Sequence, residues 1–238
     1  MSNNDNGMRT VGACSHAEGT LRRVVLVHTV AGLVPVFQEL ANGLPGDVKI
    51  SNIVDESLLE DAITAGGLTR SVNRRVVDHV LSAADSGAVA ILATCSSIGP
   101  AVEIASQLVD VPVLRIDEPM ATAAIESGRR IGVLATVAST LDPTVNLLRR
   151  CAQGLEKDIE LTPVLRDQAF TAMRSGDGAR HDEIIVEALM DLAVNVDVIV
   201  LAQASMARVV ATLGPGELSV PVFSSPGSGM AGLASVLA

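Results

Sequence analysis

Short runs of apolar residues recur along the chain, and each run ends in small or polar residues. Parallel strands that are covered on both faces have this continuous apolar pattern, because neither row of side chains meets water. The pattern predicts strands over the following segments: 24–27, 48–54, 88–94, 111–116, 131–136, 198–203 and 220–223.

Between these runs, apolar residues recur three or four positions apart, as they do on the buried face of an amphipathic helix. Two clear examples cover residues 70–85 and 181–195. Asp182 and Glu183, which follow His181, are interpreted as the solvated start of the second of these helices. Strands that alternate with amphipathic helices are typical of an α/β fold with parallel sheets.

The second half of the chain repeats the pattern of the first half. Arg22 and Arg23 precede the first apolar run, and Arg129 and Arg130 precede a similar run. Several further elements match at a nearly constant offset of about 108 residues. We therefore predict two α/β lobes related by a pseudo-twofold axis. The alternative is two unrelated α/β segments of similar composition.

The matching elements also predict how the chain is divided. Residues 1–20 are polar and are expected to form a flexible tail. Residues 21–112 together with 216–238 are expected to form the first lobe, and residues 113–215 the second. Open α/β sheets bind ligands at the carboxyl ends of their strands, so the active-site cleft is predicted between the two lobes.

Composition and charge narrow the class of protein. Of 238 residues 48% are hydrophobic, but the chain has no Trp or Tyr and only three Phe, so the core must be aliphatic. The net charge is −10 and no basic stripe or aromatic platform is present, which argues against a nucleic-acid partner. No apolar run is long enough to span a membrane, and the first residues lack the apolar segment of a secretory signal.

The three cysteines differ in their surroundings. Cys14, Cys95 and Cys151 form no CxxC pair, and the histidines have no metal-ligand spacing, so we expect a reduced, cytoplasmic protein with no metal site. Cys151 lies among leucines and is interpreted as a core residue. Cys95 ends a strand, and Ser96 and Ser97 follow it as caps for the next helix. Unpaired amides and the helix dipole favour a thiolate there, although a small buried side chain is the alternative.

Two segments carry a resemblance to a known family. Residues 93–97 read Ala-Thr-Cys-Ser-Ser, and residues 200–206 read Val-Leu-Ala-Gln-Ala-Ser-Met. With the repeated pattern, they resemble the aspartate/glutamate/hydantoin racemase superfamily from about residue 21 onward. The resemblance implies two α/β lobes around a cofactor-free site for a small carboxylate. Cys95 stands at the position of the family's first catalytic cysteine, and Gln203 stands at the position of its second.

The chain departs from the glutamate racemases beside both positions. Where they carry Asp-Ser near the end of the first strand, this chain has His28-Thr29. Where they carry Thr-His after the second cysteine, it has Ala204-Ser205. Glutamate is therefore not the expected substrate.

The candidate site residues fall into two groups. The catalytic candidates are Cys95 and a second base, either His28 or Glu118, because a glutamine amide does not titrate usefully. The alternatives are a structural strand-end histidine at His28 and a first-turn helix acid at Glu118. The substrate-binding candidates share a hydroxyl or amide near a strand end, and they are Thr29, Ser96, Ser97, Thr136, Gln203 and Ser205. Helix capping is the alternative for the serines and threonines among them.

These residues predict a cofactor-independent racemase or isomerase. Cys95 would move a proton at a carbon α to a carboxylate or carbonyl of an amino-acid or hydantoin-type substrate. One thiol also suffices for an arylmalonate-type decarboxylase that protonates one face, and a non-catalytic homologue would bind a small carboxylate without turnover. Aliphatic helix faces would permit a homo-oligomer.

Three glycines near the end of the chain, Gly227, Gly229 and Gly232, satisfy the GxGxxG pattern of dinucleotide sites. No second strand or ribose-binding acid follows them, so no dinucleotide cofactor is expected. We expect them instead to ease a turn into a terminal helix.

Overall fold

The computed structural model describes residues 21–214 and 216–238. The expected tail at residues 1–20, which includes Cys14, lies outside the described residues. Within them, two parallel four-stranded sheets are flanked by helices. The α/β class with two parallel-sheet lobes is therefore confirmed.

The two sheets have the same strand arrangement. In the first sheet the strands are β1 (Arg22–His28), β2 (Val48–Val54), β3 (Ala88–Ala93) and β4 (Val113–Arg115). In the second they are β5 (Arg130–Ala135), β6 (Glu160–Leu165), β7 (Val198–Leu201) and β8 (Val222–Ser224). The orders are β2-β1-β3-β4 and β6-β5-β7-β8, with every neighbouring pair parallel.

Ten α-helices connect and cover the strands in the described part of the chain. They are α1 (Val34–Leu40), α2 (Ser57–Ala65), α3 (Arg70–Asp85), α4 (Gly99–Ser106), α5 (Glu118–Ser127), α6 (Ala138–Gly154), α7 (Asp167–Arg174), α8 (Gly178–Ala193), α9 (Ala207–Val210) and α10 (Ser225–Leu237). Short 3-10 turns precede α1, α4 and α9, and another follows α1. None of the described helices combines the length and the apolar character needed to cross a membrane.

Burial on both faces explains the continuous apolar runs of the central strands. Along β1, Val25 and Val27 pack with the apolar residues of α3 and α4. Val24 and Leu26, which point to the other face, pack with Phe37 of α1 and with α10. Successive side chains alternate between two buried faces, so the strand needs apolar residues at every position.

Two short strands differ from their predicted places. β4 falls in the predicted second lobe but pairs with β3 of the first sheet. β8 falls in the segment predicted to return to the first lobe but pairs with β7 of the second sheet. The helix that follows β8, α10, does pack on the core of the first sheet. In each sheet the last strand pairs within its own sheet, and the helix that follows it packs on the other lobe. These helices are α5 after β4 and α10 after β8.

Strand β6 has no apolar run and was not among the predicted strands. It lies at the edge of the second sheet, pairs only with β5 there, and contains Pro163. All six of its residues are exposed or half-buried. A proline is tolerated on an edge strand because its missing N–H faces away from the ladder. With Pro163 and polar residues among the apolar ones, the β6 sequence lacks the apolar run by which a buried strand is recognised.

The glycine-rich segment has a different role from the expected one. Gly227, Gly229 and Gly232 all lie inside α10 rather than in a turn before it. An added Cβ at Gly229 would lie 2.5 Å from the carbonyl oxygen of Ile116, and one at Gly232 would lie 2.8 Å from Pro119. The expectation of a turn is therefore wrong: Gly229 and Gly232 allow α10 to pack closely on the segment that begins α5.

Candidate active site

A cavity of about 250 Å³ lies where the carboxyl ends of the two sheets meet. The first lobe contributes residues that follow β1 and β3, and the second contributes residues that follow β5 and β7. This is the predicted position of the cleft. Its walls include Thr29, Cys95, Ser96, Ser97, Thr136, Gln203 and Ser205 from the predicted site.

Cys95 occupies the turn between β3 and α4. It follows Thr94 in an extended conformation (φ −131°, ψ 122°), and the 3-10 turn Ser96–Ile98 begins directly after it and runs into α4. Its thiol is free and half-buried. The strand therefore delivers the sulfur to the cavity wall at the amino end of a helical segment, where unpaired N–H groups can interact with negative charge.

The hydroxyl groups of the first lobe differ in what they bind. Thr29 is 2% exposed, and its Oγ1 has no hydrogen-bond partner among the described residues although it lines the cavity. Ser97 instead forms a 2.7 Å hydrogen bond with Thr140 at the start of α6, which joins the two lobes beside the cavity. A buried hydroxyl without a partner is costly, so the Thr29 hydroxyl is available to a ligand.

Gln203 and Thr136 form a closed pair on the second lobe. The Gln203 Oε1 atom accepts a 2.7 Å hydrogen bond from the Thr136 backbone N–H, and its Nε2 donates to the Thr136 hydroxyl over 2.7 Å. Because that hydroxyl accepts from Gln203, its own hydrogen remains available to a ligand. Gln203, which stands where the resemblance would place a second thiol, thus holds Thr136 in place.

His28 lies behind the cavity rather than in its wall. It is fully buried, its Nε2 lies 2.9 Å from Asn52 Oδ1, and its Nδ1 lies 2.8 Å from the Thr94 hydroxyl. Burial lowers the pKa of His28, and the hydrogen bond to Asn52 opposes this only in part. With both ring nitrogens paired and the ring 5.6 Å from that of Phe37, the geometry fits the structural alternative.

Glu118 is also away from the cavity. It is an exposed first-turn residue of α5 and is not among the lining side chains. The structure therefore brings neither proposed second base to Cys95.

Cys151 is half-buried in α6 against the second-lobe core. Burial raises the pKa of its thiol, and the negative charge of Glu118 raises it further.

His181 lines the cavity and was not among the predicted site residues. It is 2% exposed in α8, and its Nδ1 lies 2.7 Å from Asp182 Oδ1. Arg208 of α9 donates two 2.6 Å hydrogen bonds to the same carboxylate. One sequence signal points to its burial: His181 precedes Ile184 and Ile185 at helical spacing and so shares the core-facing stripe of α8.

The sequence matches the family model described as Asp/Glu/Hydantoin racemase over residues 27–231. That match covers most of the chain. The chain belongs to this family. Membership supports an enzyme of the racemase type. No curated protein sequence matches the chain.

Solved structures of racemases share the fold of this family member. A glutamate racemase isoform from Bacillus anthracis is 20% identical, with a TM-score of 0.71 and coverage of 91% of this chain and 81% of that one. An allantoin racemase from Klebsiella pneumoniae is 17% identical, with a TM-score of 0.65 and coverage of 91% and 87%. A putative Asp/Glu racemase from Yersinia pestis is 14% identical, with a TM-score of 0.67 and coverage of 91% and 100%.

The cavity of this racemase-family protein is lined by hydroxyl groups, an amide, a thiol and an imidazole, and otherwise by apolar side chains. Among the described residues, no Lys, Arg, Asp or Glu side chain lines it. Its larger apolar side chains are Val30, Leu33, Leu59, Val137, Phe170 and Met173. A substrate carboxylate would therefore rely on hydroxyl and backbone N–H donors, which bind an anion without a full opposing charge.

Proposed function

We propose that this protein is a cofactor-independent racemase in which Cys95 transfers a proton at a carbon α to a carboxylate or carbonyl. The substrate would be of the amino-acid or hydantoin type. The observation that carries the proposal is the position of Cys95, a free thiol in the wall of a cavity between the carboxyl ends of two parallel sheets. Family membership supports the same chemistry.

Proton abstraction needs a group that stabilises the resulting carbanion. When the Cys95 thiolate takes the Cα proton, the electron pair of the C–H bond moves toward the carboxylate or carbonyl oxygen. The unpartnered hydroxyl of Thr29 and the spare hydroxyl hydrogen of Thr136 can donate to that oxygen. Donors fixed before the reaction stabilise developing charge more effectively than water does.

Deuterium exchange tests this proposal. Single enantiomers of amino acids, hydantoins and hydroxy acids, together with substituted malonates, are incubated with the enzyme in D₂O while the Cα–H signal is followed by NMR. The wild type is expected to incorporate deuterium at Cα and to interconvert the enantiomers of its substrate. Cys95→Ala is expected to lose interconversion, since proton transfer by a positioned group contributes about 10²–10⁴-fold.

A matched control replaces the other described cysteine. Cys151 lies in α6 outside the cavity wall, so Cys151→Ala should interconvert the enantiomers at the wild-type rate. Interconversion that persists in Cys95→Ala contradicts the proposal. Ligand-induced stabilisation without any exchange across the panel also contradicts it and favours a non-catalytic carboxylate-binding protein.

A second function, decarboxylation of an arylmalonate-type substrate, is favoured by Gln203. Its amide cannot act as the second acid or base, and it is already paired with Thr136. In this reaction loss of CO₂ leaves the carbanion, and the Cys95 thiol gives its proton to one face only. Release of CO₂ together with a single product enantiomer would select this function over racemisation.

We also infer a cytoplasmic protein with a small-molecule partner. In the described part of the chain the cysteines Cys95 and Cys151 are both free, which fits a reducing compartment. Half-buried and exposed aliphatic side chains such as Ile104 and Leu108 on the surface are compatible with a homo-oligomer.

A further inference from the structure

Among the described residues, two lining side chains of the cavity belong to types that serve as general acids and bases. They are the Cys95 thiol and the His181 imidazole, and the other polar lining groups are hydroxyls and one amide. Cys95 follows β3 of the first sheet, whereas His181 lies on α8, which packs on β5 and β7 of the second. The two groups therefore approach the same cavity from different lobes.

The hydrogen bonds of His181 determine which ring nitrogen carries the hydrogen. Nδ1 lies 2.7 Å from the Asp182 carboxylate, which can only accept, so Nδ1 carries a hydrogen. In the neutral ring, the lone pair is then on Nε2, and no hydrogen bond of Nε2 occurs within residues 21–214 and 216–238. The nitrogen that can take or give a proton is thus the one left to a ligand.

Asp182 is itself held from a separate helix. Arg208, on α9 after the turn that carries Ser205, binds both carboxylate oxygens of Asp182. Arg208 Nη2 also lies 3.4 Å from His181 Nδ1, so the two side chains together fix that nitrogen. Asp182 and Arg208 hold the His181 ring at the cavity, and neither of these two charged side chains lines the cavity wall.

We propose that His181 is the second catalytic acid–base group and that it serves the substrate face opposite the one served by Cys95. This assignment rests on the proposed function of the protein as a racemase. It replaces His28 and Glu118, which lie away from the cavity, as the source of the second proton transfer. Asp182 and Arg208 act as positioning residues.

The proton balance closes without a cofactor. In one direction the Cys95 thiolate removes the Cα proton, the electron pair moves to the carboxylate or carbonyl oxygen, and the protonated His181 gives a proton to the other face. The enzyme is then left with a Cys95 thiol and a neutral His181. That form starts the reverse direction, in which Nε2 removes the proton and the thiol gives one. The two enzyme forms carry the same total number of protons. Proton exchange of Cys95 and His181 with solvent can therefore convert each form into the other.

Solvent exchange separates the roles of the two faces. Each enantiomer of the substrate found in the exchange panel is incubated separately in D₂O, and both deuterium content and configuration are measured. His181→Gln is expected to slow inversion by about 100-fold or more. It should still exchange the Cα–H of one enantiomer, the one whose hydrogen faces Cys95, with retained configuration. Cys95→Ala should show the mirror-image pattern and exchange only the other enantiomer.

The matched control is another histidine that is not in the cavity wall. His79 on α3 binds Asp55, and His79→Gln is expected to invert and exchange both enantiomers at the wild-type rate. Retained exchange of one enantiomer by His181→Gln also demonstrates that this variant is folded. If His181→Gln fails to fold, Asp182→Asn replaces it, and a weaker asymmetry of the same sign is expected.

Two outcomes overturn the role of His181. One is inversion of both enantiomers by His181→Gln at the wild-type rate, and the other is an equal loss of exchange for both enantiomers in a folded variant. Failure of the proposed function has a different signature. In that case the wild type shows no exchange, or Cys95→Ala inverts the substrate as the wild type does.

Discussion

At the scale of single residues, Asp55 shows how a largely buried carboxylate is held by its hydrogen-bond donors. Its carboxylate follows β2 and accepts hydrogen bonds from Ser57 at 2.7 Å, from Arg75 at 2.6 Å and from His79 at 2.9 Å. Its side chain is 17% exposed. These bonds tie the start of α2 to α3.

The stability of the protein should depend on this carboxylate in acid. Burial raises the pKa of Asp55, but the hydrogen bonds from His79, Ser57 and Arg75 outweigh it and hold the pKa well below its ordinary value of 3.8. The folded state therefore binds a proton at Asp55 less readily than the unfolded state does. Its contribution to stability is present above the unfolded pKa and is lost as the pH falls from about 4 through the folded pKa.

Asp55→Asn is expected to lower the free energy of unfolding near pH 7 by about 2 kcal/mol, because charge-assisted hydrogen bonds are lost. The difference from the wild type should shrink as the pH falls toward about 3. Urea unfolding at several pH values measures both quantities. Asp61→Asn is the control, since Asp61 is 55% exposed and binds Arg75 at the surface, where such pairs are worth under about 1 kcal/mol. A difference that stays constant with pH would show that the Asp55 charge is not involved.

At the scale of elements, α10 links the two lobes. It follows β8 of the second sheet, yet Met230, Leu233 and Leu237 pack into the core of the first sheet with Leu26. The helix also contacts α5, which covers the second-lobe core. Its first residue, Ser225, lines the cavity, so the packing of α10 bears on the position of the lobes around the site.

The close approach of α10 to Ile116 makes a prediction. Gly229→Ala would place a Cβ 2.5 Å from the Ile116 carbonyl oxygen, and overpacking of this kind costs about 1–3 kcal/mol. The variant should therefore unfold at lower urea concentration than the wild type. Gly227→Ala in the first turn of the same helix meets nothing within 4 Å and should be neutral or slightly stabilising. Equal effects of the two substitutions would contradict the packing explanation.

At the scale of the whole molecule, the sequence predicts the sheets better than it predicts the site. Central strands such as β1 and β7 can be recognised because burial on both faces requires apolar residues throughout. The edge strand β6 lacks that requirement and contains Pro163, so its pattern carries little signal. Strand ends could also be placed, which is why Cys95 and Gln203 were expected at the cleft and line the cavity.

The remaining site residues depend on contacts between distant parts of the chain. His28 is the last residue of β1, but Asn52 on the neighbouring strand and Phe37 on α1 fix its ring away from the cavity. His181 is far from any strand end in the sequence, and only the packing of α8 against the second sheet brings it to the cavity. Side-chain direction at these positions is decided by partners that sequence spacing does not identify.

The central claim is that the cavity interconverts the two enantiomers of its substrate through Cys95. The most direct measurement follows optical activity from each pure enantiomer of the substrate, with CO₂ measured in parallel, for the wild type and for Cys95→Ala. We predict that both wild-type reactions converge on an equal mixture without CO₂ and that Cys95→Ala leaves each enantiomer unconverted. A final mixture that keeps one enantiomer and releases CO₂, or convergence in Cys95→Ala, would contradict it.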